Sequence, residues 1–470
     1  GEEYYSTLYA IRESPLEKGV IWAGANDGPI HVTRDNGKTW RDVTPRGLPP
    51  GGRVQNIEPS QHRKGSAYVA VLLYMLGDYQ PYIYRTDDYG KSWTRLTTGS
   101  NGIPANEPTR VVRESPAREG LLFAGTEFGA YVSFDNGAHW RHLQLGLPVT
   151  PITDMRIFRH DLVLSTQGRS FWILDDITPF EQITTAIASA NAHLFTPRTA
   201  YRFRYRNGGR DAAAPEYPPP GAMIDYSLGD GGARSVTLEV FDSAGKLIRR
   251  LTSKRATSDS SRTSSDDLVT AGTPELSTRP GLHRVIWDLR HAGAWSEGAG
   301  GRGGRGPLVV PGNYRLRLTV DTSAASKPWV ATTSLTVRAD PRIIRSGVTQ
   351  RDIEQQVAHN LRVRDAISAA QHAAARVSAA VKRLNGATGS AADTLRMLTA
   401  LDTALTTDPV RYSQPKLVDQ LTYLYGMTTS ADQRIGRDAV LRLRELEGEL
   451  KEIQTKVARL LGPAERASAP

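Results

Sequence analysis

Three copies of one short pattern constrain this chain more than any other feature. They are Thr33-Arg-Asp35-Asn-Gly37-Lys-Thr-Trp40, Thr86-Asp-Asp88-Tyr-Gly90-Lys-Ser-Trp93 and Ser133-Phe-Asp135-Asn-Gly137-Ala-His-Trp140. Each reads Ser/Thr-x-Asp-x-Gly-x-x-Trp, and they recur about every 50 residues. The residue types predict a turn. A carboxylate at Asp35, Asp88 or Asp135 can accept from nearby backbone N–H groups. Gly37, Gly90 and Gly137 permit the positive φ of a tight hairpin. Trp40, Trp93 and Trp140 are then expected to tuck between neighbouring sheets, each burying a large apolar area.

The pattern resembles the Asp-box (BNR) repeat of sialidases, sortilin-type receptors and many secreted bacterial propellers. That resemblance implies β-propeller blades, with the box as a structural element rather than a catalytic one. The repeat extends further upstream. Arg12-Glu-Ser-Pro15, Gly19-Val-Ile-Trp-Ala-Gly24 and the run to Thr33 align with Arg113-Glu-Ser-Pro116, Gly120-Leu-Leu-Phe-Ala-Gly125 and the run to Ser133. Short alternating runs bounded by Gly and Pro read as strands. The middle unit carries an insertion from Tyr74 to Pro81, a loop suited to a binding rim, with Tyr74, Tyr79 and Tyr82 as possible ligand contacts. A fourth unit, from Ile152 to Leu174, has no box, as terminal repeats often do not.

About four blades are expected over 1–183, against the four to eight of a closed propeller. The chain opens at Gly1 without Met. The expectation is therefore that an upstream propeller segment or a partner chain completes the ring.

Beyond Ile183 the repeats stop. Residues 184–221 read as a linker. The runs Ser235-Val-Thr-Leu-Glu-Val-Phe-Asp242, Gly281-Leu-His-Arg-Val-Ile-Trp-Asp288 and Pro311 to Val320 alternate as strands do. With Lys246–Leu251 they resemble the Ig-like domain of flagellar hook-capping proteins, implying a small β-sandwich over 222–338. Ser253–Asp267 and Gly298–Gly306 have compositions without a strand or helix signal. From 339 to 470 the period becomes helical, with segments at Val348–Leu384, Ala391–Leu405, Leu417–Leu424 and Ala439–Leu461. Short Gly- and Pro-containing loops between them predict an antiparallel helical bundle. Glu445, Glu447, Glu449 and Glu452 read as its solvated face. The whole order resembles the C-terminal half of large secreted bacterial proteins labelled VPS10-domain, sortilin-like or BNR-repeat glycosyl hydrolase. That implies a bacterial protein that is secreted, periplasmic or on the cell surface.

Composition removes several chemistries. There are no cysteines, so disulfides, thiolate metal sites and Cys nucleophiles are excluded. No apolar run approaches the ~20 residues of a membrane span. The net charge is +10, but the basic residues are dispersed and no nucleic-acid-binding motif accompanies them. The densest stretch alternates Arg202, Arg204 and Arg206 with Tyr201, Phe203 and Tyr205, which predicts a strand with one basic face, the alternative being a polyanion contact.

A catalytic site is not evident. Sialidases use an arginine triad and an Arg-Ile-Pro motif, and the nearest string, Met155-Arg-Ile-Phe158, lacks the proline. Xyloglucanase-type twin propellers place catalytic Asp residues in a cleft, and Asp27, Asp78, Asp154 and Asp175 are loop or strand-end carboxylates of that kind. No His spacing suits a metal, and Asp87-Asp88 and Asp175-Asp176 offer too few oxygens for a Ca²⁺ loop. No cofactor or metal is expected. The sequence thus points to a non-catalytic binding or assembly module for a peptide, protein or glycan. The alternative is a glycoside hydrolase whose site is completed by upstream blades.

Overall fold

A computed structural model describes residues 7–204, 217–218, 220–253, 275–296, 305–322 and 327–462. The chain divides into two compact units, Gly1–Thr185 and Ala186–Pro470.

The first unit is four antiparallel sheets made one after another along the chain. The first runs β1 (Leu8–Glu13), β2 (Ile21–Ala25), β3 (Ile30–Thr33) and β4 (Arg41–Asp42). The second is β5 (Arg53–Pro59), β6 (Ala67–Leu72), β7 (Tyr82–Thr86) and β8 (Thr94–Arg95). The third is β9 (Thr109–Glu114), β10 (Leu122–Thr126), β11 (Ala130–Ser133) and β12 (Arg141–His142). The fourth has three strands, β13 (Ile152–Phe158), β14 (Asp161–Thr166) and β15 (Phe171–Leu174).

Neighbouring sheets pack in chain order through β1, β2 and β5, then β5, β6 and β9, then β9, β10 and β13. This is the arrangement of part of a β-propeller. Each junction has its own apolar core. Trp22, Val54, Ile57 and Val69 fill the first, Tyr68, Ile83, Val112 and Trp140 the second, and Val111, Phe123, Ile152 and Leu162 the third. The outer faces are different. Leu8, Tyr9 and Ile11 of β1 are exposed, as are Phe158, Phe171, Trp172 and Ile173 of the fourth sheet.

The three boxes share one hydrogen-bond scheme, built from donors and acceptors within four residues. Asp35 Oδ1 accepts from Thr39 N at 2.9 Å and from Thr33 Oγ1 at 2.8 Å, while Gly37 N donates to Thr33 Oγ1 at 2.9 Å. Asp88 and Ser92, and Asp135 and His139, repeat the scheme. The central pairs Asn36–Gly37, Tyr89–Gly90 and Asn136–Gly137 all have positive φ, the geometry of a tight hairpin. Each turn is pinned to an earlier one. Asn36, Tyr89 and Asn136 donate their backbone N–H to the carbonyls of Gly19, Gly65 and Gly120. Glu13 and Glu114, from the upstream part of the repeat, in turn accept from Gly19 N and Gly120 N.

In the second unit, β18 (Ala222–Leu228) and β21 (Gly281–Trp287) form one sheet with β16 (Ala192–Leu194). The other sheet has the order β17 (Ala200–Arg202), β23 (Trp329–Ala339), β22 (Gly312–Asp321), β19 (Ser235–Phe241) and β20 (Leu247–Thr252). The two sheets share a core that includes Ile224, Leu238, Trp287 and Leu316. Segment 184–221, expected as a linker, therefore supplies a strand to each sheet, and β17 pairs in parallel with β23. The expected irregular stretches 254–267 and 298–304 lie outside the described residues.

Two short helices, α1 (Thr178–Gln182) and α2 (Thr185–Ala188), come before β16, and after β23 come α3 (Pro341–Arg345), α4 (Gln350–Leu384), α5 (Ser390–Leu405), α6 (Leu417–Thr429) and α7 (Arg437–Leu461). Thr349 and Asp352 form a capping box that starts α4. Leu443, Leu446, Leu450, Ile453 and Val457 put a stripe at spacings of three and four into the common core, leaving Glu445, Glu449 and Glu452 exposed. Helix α4 packs against α5, α6 and α7. Gln356 and Asn360 on α4 donate to the Thr428 carbonyl, satisfying the C-terminal end of α6. Among the described residues no helix is long and apolar enough to cross a membrane.

Candidate functional site

The box tryptophans diverge. Trp140 is 4% exposed and Trp93 partly buried, and each donates its indole N–H across a junction, to Leu96 O at 3.0 Å and Val43 O at 2.6 Å. Trp40 is 43% exposed. The burial expected of all three is therefore found in full at Trp140, in part at Trp93 and not at Trp40. The box carboxylates are strongly hydrogen-bonded. The Thr39 hydroxyl and N–H, with Thr33, hold Asp35 down at about 2. Burial pushes Asp88 and Asp135 up, but the bonds from Ser92 and Thr86, and from His139 and Ser133, outweigh it and leave both below the usual range.

The insertion of the second unit forms a single 3-10 turn, Tyr74–Leu76, closed by Gly77. Met75, Leu76 and Tyr79 are exposed on it and Tyr74 is half-buried. Tyr82, expected on the same rim, is 3% exposed. It opens β7, its ring stacks on Tyr84, and its hydroxyl donates to Asp78 Oδ2 at 2.7 Å. Burial and that bond push its phenol up to about 12.

The four sequence-selected carboxylates are not equivalent. Asp78 accepts from Tyr82 and from Gln80 N at 2.9 Å. Asp154 pairs with Arg113 at 2.6 Å. Asp27 keeps a buried Oδ1 with no hydrogen-bond partner among the described residues. Asp175 lies directly after β15. Among the described residues no group of three His, Asp or Glu could hold a metal ion.

Sequence reasoning missed two sites. The first is Arg113, 7% exposed, which bridges three sheets. It reaches Glu58 Oε2 at 2.8 Å in the second, and Asp154 Oδ1 and the Met155 carbonyl in the fourth. Burial raises Glu58, and Arg113 partly offsets that. The second is a cleft of about 1050 Å³ between the first and second sheets. Its walls carry Arg34, Arg41, Arg46, Lys91 and Arg95 against one carboxylate, Asp42, a formal balance of +4. Dispersed positions hid it: the five cations fall in two separate repeats.

The basic face expected around Arg202 and Arg204 points inward instead. Arg202 is 1% exposed, donates to Val309 O at 2.9 Å and pairs with Asp432, which Arg204 also holds at 2.6 Å. Tyr205 and Arg206 lie outside the described residues.

No family model matches the chain. A curated relative, an oligoxyloglucan-reducing end-specific xyloglucanase of Emericella nidulans, is 29% identical over 114 residues, 23% of this chain and 13% of the relative's length. Similar solved structures include YCF48 from Cyanidioschyzon merolae, at 16% identity with 48% of this chain and 80% of that one covered and a TM-score of 0.29. YCF48 bound to a D1 peptide is 13% identical, with 53% and 69% covered and a TM-score of 0.29. A GH74 xyloglucanase from Xanthomonas campestris is 11% identical, with 69% and 55% covered and a TM-score of 0.30.

Proposed function

We propose that this chain is a non-catalytic binding or assembly module of an exported or cell-surface β-propeller protein. Its sheets form blades, β16 to β23 an Ig-like sandwich and the helices from Pro341 to Leu461 a bundle that docks it. The observation that carries the reading is the use of the carboxylates. Asp78 is committed to Tyr82 and Asp154 to Arg113, so two of the four candidates are structural. Meanwhile the second repeat spends an insertion on presenting Tyr74, Met75, Leu76 and Tyr79, a rim suited to a peptide or glycan. The exposed flanks at Ile11 and Trp40, and at Phe171 and Ile173, are surfaces for a further blade from an upstream segment or a partner chain.

The similarity to a xyloglucanase supports the second reading, a glycoside hydrolase whose site is completed by upstream blades. Asp27, with its unpartnered oxygen, is then the carboxylate to test. Titration with xyloglucan oligosaccharides and peptide libraries, run beside a reducing-end assay, separates the two. Binding without cleavage, weakened by Tyr74→Ala with Tyr79→Ala, is the expected result. Cleavage lost in Asp27→Asn overturns it.

A further inference from the structure

The cleft between the first two sheets holds cations that the fold does not use. Two of the five are engaged in its walls. The Arg34 guanidinium lies 3.8 Å from the Tyr89 ring centroid, and Arg95 donates to Gln80 Oε1 at 3.2 Å and Pro81 O at 3.0 Å. The other three, Arg41, Arg46 and Lys91, are exposed, and their side chains have no ion pair or hydrogen bond among the described residues. Asp42, the one opposing carboxylate, is already taken. Its Oδ1 accepts from Thr44 Oγ1 at 2.6 Å and Thr44 N at 2.9 Å, bonds that hold it below the usual carboxylate range. Three exposed cations thus gather on one cavity whose single carboxylate is not free to neutralise them.

Trp93 supplies the rest of the chemistry. Its N–H is spent on Val43 O, its ring meets Trp22 edge-on at 6.2 Å, and it remains partly exposed in the cleft lining. We propose that the cleft binds a stretch of carboxylated polysaccharide, with uronate carboxylates on Arg41, Arg46 and Lys91 and a sugar face against Trp93. A uronate ring carries an apolar C–H face and a carboxylate on the same residue, which matches an indole beside guanidinium forks. The volume is at the upper end of ligand pockets, about 300–1000 Å³, enough for more than one ring. An acidic peptide meets the cations equally well but has no ring face for Trp93. This site is separate from the tyrosine rim and goes beyond the binding reading above.

The test is titration calorimetry of the full chain with an oligogalacturonate, a neutral cello-oligosaccharide and a poly-glutamate peptide. Each is run on the wild type and on Arg41→Ser/Arg46→Ser/Lys91→Ser, whose unchanged melting curve shows that it folds. The oligogalacturonate is expected to bind, to weaken about tenfold or more in the triple variant, and to weaken again as salt rises. Tighter or equal binding of poly-glutamate assigns the cleft to peptides and overturns the proposal, as does no binding or no effect of the triple variant. Loss in Tyr74→Ala/Tyr79→Ala alone refutes the cleft but keeps the binding module. Cleavage of the ligand refutes the module whatever the cleft does.

Discussion

Replacing Arg113 by Met tests whether the sheets are held together by one buried cation. The Met side chain keeps much of the apolar stem and removes the guanidinium. Two carboxylates and a carbonyl lose their donor. Asp154 is 59% exposed and can turn to water, so its share is small, about 0.5 kcal/mol or less. Glu58 is 13% exposed at its side chain and has no such escape. Leaving a buried charge unpaired costs about 3–5 kcal/mol, so the variant is expected to lose about 3 kcal/mol at pH 7. With m near 3 kcal/mol/M this moves the urea midpoint of the first unit by about 1 M.

The pH dependence gives the sharper test. The pKa of folded Glu58 is already raised, by burial first, and losing Arg113 raises it further. A group with a raised folded pKa favours the folded state at low pH and disfavours it as pH rises through that value. The cost of Arg113→Met therefore shrinks toward acid as Glu58 takes up a proton. Glu58→Gln added to Arg113→Met should recover part of that cost at pH 7. Urea melts followed by fluorescence at both pH values measure this. A cost below about 1 kcal/mol at pH 7, or one that does not change with pH, refutes the reasoning.

The remaining expectations follow the junctions and one half-buried histidine. A Cβ at Gly90 would lie 2.5 Å from Val43 Cβ and one at Gly137 2.7 Å from Leu96 Cδ1, whereas at Gly37 its nearest neighbour is Trp40 Nε1 at 4.0 Å. Gly90→Ala and Gly137→Ala should each lose about 2–4 kcal/mol and Gly37→Ala only about 1, by urea melts. Trp140→Ala should cost about 3–5 kcal/mol, and the exposed Trp40→Ala less than about 1. Burial, helped by Arg364, lowers His291 to about 4. Its unfolded form charges first, so the second unit should lose stability as pH falls from about 6.5 to 4, and His291→Gln should flatten that slope in thermal melts.

How much of this could be read in advance depends on the range of each interaction. The box turns were legible because Thr33, Asp35, Gly37 and Thr39 satisfy one another within four residues. The sandwich strands and the α7 stripe were legible from their periods. Arg113 was not, since its carboxylate partners lie 55 and 41 residues away. Arg202 and Arg204 read as the basic face of a strand because nothing local marks Asp432 as their counter-ion. Strands β16 and β17 have three residues each, too few to show alternation. Tyr82 reads as part of the rim because the end of the insertion and the start of β7 are adjacent in sequence.

Sheets that touch in chain order, each junction with its own core, behave as a linear array rather than a single block. The stability of such an array is a sum of sheet terms and nearest-neighbour interface terms. The second sheet lies between the core of Trp22 and Val69 and that of Trp140, and the third between that of Trp140 and that of Phe123. Opening should therefore start at β1 and at β15 and move inward, with amide exchange fastest at the flanks and slowest along β6 and β10.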